Sequence, residues 1–216
     1  MSRSTVGNKS GLKSPVKKWI NFKGNTGTYS YWNGTENVSL DELRLVLMDT
    51  RSCITGWSDS ANARIWSNTI KVVGSEELVV KTKGADIAKG LYADIKDSVK
   101  NAGGNFTLNV YALVKIENDY ELCCLSLDKG GLKEWSDFLA ANKLSAVYDN
   151  VLVCTKGDQQ KKGAVKYYNP KFELAGLIED DVVKNAMALD RDVLQPYFSG
   201  VSTEEKEENS DVEAPF

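Results

Sequence analysis

Residues 105–116 alternate with a period of two. Phe106, Leu108, Val110, Ala112, Val114 and Ile116 are apolar at every second position, and another apolar run, 120–127, follows Glu117-Asn118-Asp119. Successive side chains of a strand point to opposite faces, so this spacing lines one continuous face and predicts a long β-hairpin. Shorter β-rich runs bounded by turn residues predict further strands at 28–32, 43–48, 64–73 and 78–83. A last pair, 146–155 and 164–174, embraces a Lys-Gly-Asp-Gln-Gln-Lys-Lys-Gly loop at 156–163.

Three stretches change to helical spacing. Leu91, Ile95 and Val99 recur every four residues before Gly103-Gly104 stops the run, and Leu132, Trp135, Phe138 and Leu139 form a second stripe. A third helix is expected from Asp180-Asp181, whose charges suit a helix N-terminus; Val182, Ala186, Leu189, Val193 and Leu194 face inward and Pro196 closes it. With 216 residues, 42% of them hydrophobic, one domain can bury a genuine core. The expected fold class is mainly β, an OB-fold-like β-barrel with added α-helices and a disordered acidic C-terminal tail. Periodicity alone leaves a sandwich open. Residues 1–15 read as a flexible basic arm, 16–199 as the domain with its C-terminal helix, and 200–216 as the tail.

Several chemistries are excluded or unsupported. The chain has no histidine, which removes His-based triads, His general bases and His-ligated zinc. Its cysteines, Cys53, Cys123, Cys124 and Cys154, form no C-x-x-C pair, and adjacent Cys123 and Cys124 face opposite ways on a strand, so they read as buried reduced thiols. The run Glu179-Asp180-Asp181 reads as a helix start rather than a metal cluster. No nucleophile, Walker or dinucleotide motif occurs, so no enzyme activity, cofactor or metal is expected. No apolar run approaches the roughly 18 residues of a membrane span, and Met1-Ser-Arg-Ser-Thr carries no signal-peptide core. A cytoplasmic protein is expected, in the host cytoplasm if phage-encoded.

Charge falls in blocks beneath a net value of -3. Residues 1–23 hold Arg3, Lys9, Lys13, Lys17, Lys18 and Lys23 and no acid; residues 201–216 hold Glu204, Glu205, Glu207, Glu208, Asp211 and Glu213 against Lys206. A basic arm suits an anionic partner. Cations and rings also interleave along the body: Lys17, Lys18, Trp19, Phe22, Lys23, Tyr29, Tyr31 and Trp32, then Arg51, Trp57, Arg64 and Trp66, then Lys161, Lys162, Lys166, Tyr167, Tyr168 and Lys171. Single-stranded nucleic acid offers phosphates to the cations and unstacked bases to the rings. Neighbours on a strand diverge, so at most one of Tyr31/Trp32 and one of Tyr167/Tyr168 shares a face; Tyr168 is the candidate of the second pair. The 156–163 loop suits a flexible finger over a bound strand.

The tail ends in Asp211, Glu213, Pro215 and Phe216, a hydrophobic tip on an acidic segment. Such a tip suits docking: the ring fills a pocket and the acids steer the encounter. This ending resembles that of bacterial single-stranded DNA-binding proteins, and phage proteins of that class also join an OB-fold to an acidic tail ending in Phe. The resemblance implies sequence-independent single-stranded DNA binding in replication and recombination, with the tail competing for the groove and its tip recruiting a polymerase, helicase or primase. The rival readings are a structural or interaction protein of a virion or scaffold, and an RNA-binding protein. Oligomeric state is not legible.

Overall fold

The computed structural model describes residues 14–199, so the expectations for residues 1–13 and for the 200–216 tail lie outside the described residues. Eleven strands form one open, mixed sheet. In chain order they are β1 (Lys18–Lys23), β2 (Thr28–Trp32), β3 (Asn37–Leu40), β4 (Leu43–Ser58), β5 (Ala63–Ser67), β6 (Leu78–Thr82), β7 (Ala85–Gly90), β8 (Gly104–Ile116), β9 (Asp119–Asp128), β10 (Asn150–Lys162) and β11 (Val165–Leu177). Helices are α1 (Tyr92–Asn101), α2 (Lys129–Ala141), α3 (Leu144–Asp149), α4 (Asp180–Leu189) and α5 (Gln195–Ser199). The lateral order is β3-β2-β1-β9-β8-β4-β5-β6-β7, with β10 added to the β4 edge and β11 beyond it.

The expected hairpin is β8–β9, in register from Ile116↔Asp119 to Thr107↔Asp128. Its turn is tight enough to hold Glu117 at a φ of 55°. The long strand β4 is the hub. Its first half pairs β10 through Leu45↔Leu152, its second half pairs β5 through Thr55↔Trp66, and its other edge pairs β8. A bulge between Leu47 and Asp49 lets the strand continue although its alternation changes phase there.

The inner face of β8 carries the expected stripe. Val110, Ala112 and Val114 pack with Ile20, Leu45, Leu125, Leu152 and Cys154 into the largest core cluster, with Trp135 and Phe138 of α2 above it. Trp135 and Phe172 of β11 meet edge to face with centroids 5.1 Å apart. The sheet curls around this cluster until β11 approaches the β1–β2 turn. Tyr168 N–H donates to Gly24 C=O at 2.7 Å, and Tyr29 O–H donates to Thr155 C=O at 3.2 Å. No ladder closes the curl into a barrel among the described residues.

Two smaller clusters complete the core. One lies between α1 and the β5–β7 flap and includes Ile54, Ile65, Val80, Ile95 and Val99. The other lies on the outer face of β8, where Tyr111 and Leu113 pack with Leu122, Cys124, Val182 and Leu194 beneath α4 and α5.

Four local expectations are corrected. The strand foreseen over 64–73 stops at Ser67, because buried Asn68 turns the chain by bonding Glu77 C=O and Val79 N–H. Residues 144–149 are helical, so the strand foreseen from 146 starts at Asn150. The 156–163 loop is strand almost throughout, since β10 runs to Lys162 and β11 resumes at Val165. Pro196 does not end the last helix: the chain widens into a π turn at Asp190–Leu194 and remains helical through α5.

Candidate nucleic-acid interface

Strand register sorts the candidate residues before any ligand is considered. Residues 29 and 31 of β2 belong to the inner face and residues 28, 30 and 32 to the outer one. Tyr29 and Tyr31 accordingly lie in the core, and burial drives the Tyr29 phenol well above its usual range. Neither offers a ring face to a base, which corrects their assignment; Trp32, the outward neighbour, is 57% exposed.

Two of the foreseen cations are likewise committed internally. Lys18 pairs with Glu121 and lies over the Tyr31 ring, 5.5 Å from its centroid. Burial lowers its pKa, but the hydrogen bond and charge of Glu121 prevail and leave it raised. Arg51 bonds Asp49 at 3.0 Å and stacks on Phe198 of α5 at 4.2 Å, while Lys71 takes the other oxygen of buried Asp49. Both are corrected to structural cations: each neutralises a carboxylate and covers a ring.

The outer face holds what remains. Trp57↔Arg64 and Thr55↔Trp66 are cross-strand pairs of β4–β5, and Trp66↔Lys81 continues the row into β6. Trp57 is 53% exposed, Arg64 is exposed and Trp66 half-buried. At the other flank, Asn21↔Ser30 is a pair of β1–β2, so Trp19 and Trp32, two residues away on either strand, stand on that same face. Trp19, which the interleaved run Lys17-Lys18-Trp19 had included, is 44% exposed and alternates with inward Ile20. Four of the five tryptophans thus share one face, and Trp135 alone is core.

Between the flanks the face is polar. Ser126 Oγ donates to Asn109 Oδ1 at 3.0 Å, Asn109 Nδ2 donates to Cys53 Sγ at 3.5 Å, and the Thr55 and Thr107 hydroxyls are 2.6 Å apart. Trp19 is level with Cys124 and, through it, with Tyr111 and Asp49. From there to Trp57 is three strand spacings across and eight residues along β4, about 30 Å in all.

A cleft of about 530 Å³ opens between the ends of β1 and β9, the start of α2 and the β10–β11 finger. Phe22, Tyr167 and Tyr168 supply rings; Lys129, Lys133 and Lys162 supply cations. Gly130 lets the first turn of α2 approach the finger, since a Cβ there would lie 2.2 Å from Asn169 Oδ1. Tyr168 is fixed by Gln159 Nε2 donating to its hydroxyl at 2.9 Å and by Lys156 over its ring. The register shift between Lys156 and Gln159 places its extra residue on β10, so Tyr167 and Tyr168 remain alternating neighbours on β11 although both border the cleft.

From 156 to 171 the finger carries Lys156, Lys161, Lys162, Lys166 and Lys171 against Asp158. Lys171 pairs with Glu173, whereas Lys161, Lys162 and Lys166 are exposed and have no ion-pair partner among the described residues. Lys17 and Lys23 are exposed at the two ends of β1. The tip residues Asp211, Glu213, Pro215 and Phe216 lie outside the described residues.

The acids at 179–181 sit at the start of α4, with Asp180 and Asp181 in its first turn. All four cysteines are buried thiols. Burial pushes Cys53 and Cys123 up to about 12 and raises Cys124 and Cys154 as well. No helix among the described residues is long and apolar enough to cross a membrane. No protein-family model matches the chain, and neither the curated proteins nor the solved structures contain a significant relative.

Proposed function

We propose that this protein binds single-stranded DNA without sequence selectivity, along the part of the sheet's outer face that α4 and α5 leave open and into the cleft beside the finger. The observation that carries the reading is the gathering of Trp19, Trp32, Trp57 and Trp66 on one sheet face with Arg64 and a lysine-rich finger beside it. Rings stack on any base and cations meet any phosphate, so neither contribution reads sequence. The strand order lends support. A meander of β4, β8 and β9, then α2, then β10 returning to β4 and β11 beside it, follows the succession of an OB-fold, whose second and third strands and flanking loops bind oligonucleotides. In that scheme the β5–β7 flap and the β10–β11 finger are the two flanking elements, and β1 to β3 are an addition.

The biological setting that fits is replication or recombination, phage or bacterial. The acidic 201–216 segment then competes weakly for the same cations and recruits replication proteins through Pro215 and Phe216. The protein works without catalysis or a cofactor in this reading. Its test is binding of fluorescent dT30, equal-length RNA and duplex across a salt series, with tryptophan emission recorded. Quenching and tight, salt-sensitive binding to dT30 over duplex are expected. Equal affinity for duplex, or none below micromolar concentration, refutes the reading and leaves an interaction module; preference for RNA makes the protein an RNA binder.

A further inference from the structure

A second concavity, an apolar groove of about 260 Å³, lies between α3 and α4. Its floor is Val46, Met48, Val183 and Ala186, and its walls are Tyr148 and Met187. Met187 is 68% exposed, and Leu144 and Leu177 extend the apolar surface nearby. Asp149 and Asp190 line the opening, with Asp180 and Asp181 at the start of α4. The field is felt locally: besides burial, the charges of Asp49 and Asp190 raise the Tyr148 pKa. Of the nearby cations, Arg191 is paired with Asp192, Lys71 and Arg51 are paired with Asp49, and Lys184 is exposed on α4. An apolar floor inside an acidic rim selects a basic segment carrying one or two aliphatic side chains.

Residues 1–13 have that chemistry: Arg3, Lys9 and Lys13, no acid, and the aliphatic residues Val6 and Leu12. They join the described chain at Ser14, and Val16 packs in the same apolar cluster as Val46, Met48, Val183 and Ala186. A helix is about 10 Å across, and 13 extended residues reach up to about 40 Å, so the segment can round α4 to the groove. We propose that residues 1–13 dock in the α3–α4 groove of their own chain, with Val6 on the apolar floor and Arg3 or Lys9 against Asp149 and Asp190. The groove then withholds these cations from any anionic partner, an autoinhibitory role independent of the DNA-binding reading.

Photocrosslinking of the full chain tests this. Met187→p-benzoylphenylalanine places the probe on an exposed wall, and a second variant places it at Tyr148. Intrachain adducts mapping to residues 1–13 are expected from both. Combining either probe with Arg3→Glu and Lys9→Glu is expected to lower adduct yield about five-fold in low salt. Adducts confined to other segments, including 201–216, adducts only between chains, or none from either position overturn the proposal. A yield unmoved by the charge reversals overturns the ionic part of it.

Discussion

The two faces of β8 are the clearest contrast in the molecule. Val110, Ala112 and Val114 enter a dry cluster sealed by α2 and the curled sheet, whereas Thr107 and Asn109, one step out of phase, join a hydrogen-bonded polar strip between tryptophans. One backbone serves both. On the inner face, aliphatic volume is matched to a closed space and is selected by packing. On the outer face, Tyr111 and Leu113 are buried beneath α4 and α5, whereas Trp19, Trp32 and Trp57 remain largely in solvent although burying such rings is worth a few kcal/mol each.

Mutations separate the faces by size of effect. Leu125→Ala removes a fully buried side chain from the inner cluster and is expected to cost about 2–5 kcal/mol, read as a lower denaturant midpoint at unchanged slope. Trp57→Ala with Trp66→Ala is expected to leave stability within about 1 kcal/mol but to weaken dT30 binding by about 1–3 kcal/mol per base unstacked. A large loss of stability with unchanged affinity would place those rings in the core's service and collapse the distinction.

High pH probes buried thiols on both faces, Cys123 in the inner cluster and Cys53 in the polar strip. The thiols of an unfolded chain ionise near 9, while Cys53 and Cys123 are held near 12, so the stability they contribute is whole below about pH 9 and drains as pH rises toward 12. Each thiol supplies on the order of 1.4 kcal/mol per pH unit within that window. Alkaline denaturant titrations should display the slope, and native thiols should resist iodoacetamide at pH 8. Rapid labelling of Cys53 would mean that the polar strip opens.

Charge on the finger is a finer lever. Lys161→Ala, Lys162→Ala and Lys166→Ala together should lower the salt slope of dT30 binding by about two, from roughly 0.7 per phosphate contact, without altering the melting temperature. Smallest of all, Tyr168→Phe forfeits the bond from Gln159 but keeps the ring, so affinity should move less than about two-fold if the ring stacks. A larger loss would assign the hydroxyl, not the ring, to the ligand.

What could be read from residues alone followed the depth of burial. The β8–β9 hairpin and the stripes of α1, α2 and α4 were legible because each buries one face and so writes its period into the chain. β3 and β7 were not, being short edge strands with mostly exposed side chains. The second half of β4 escaped because the bulge at Leu47 and Asp49 shifts its phase, and because Asp49 is buried with two cations that come from residues 51 and 71. Among the rings, the sequence narrowed Tyr31 and Trp32 to one outward member but could not choose, since the choice depends on which face β9 offers to β1. The exposed Lys161, Lys162 and Lys166 were visible as a charged run; their place beside a cleft depended on a finger extended as strand.

The pairing of β1 with β9 has a consequence in time. Lys18 finds Cys123 in a parallel ladder, and Gly24 finds Tyr168 later still. Chains are synthesised at about 5–20 residues per second, so the first strand waits on the order of 5–20 s for its partner to exist. During that interval Ile20, Tyr29 and Tyr31 have no core to enter. The nascent chain therefore carries this aromatic strand pair unsheltered through half of its synthesis, and slow expression or a chaperone that holds residues 18–32 should decide the yield of folded protein.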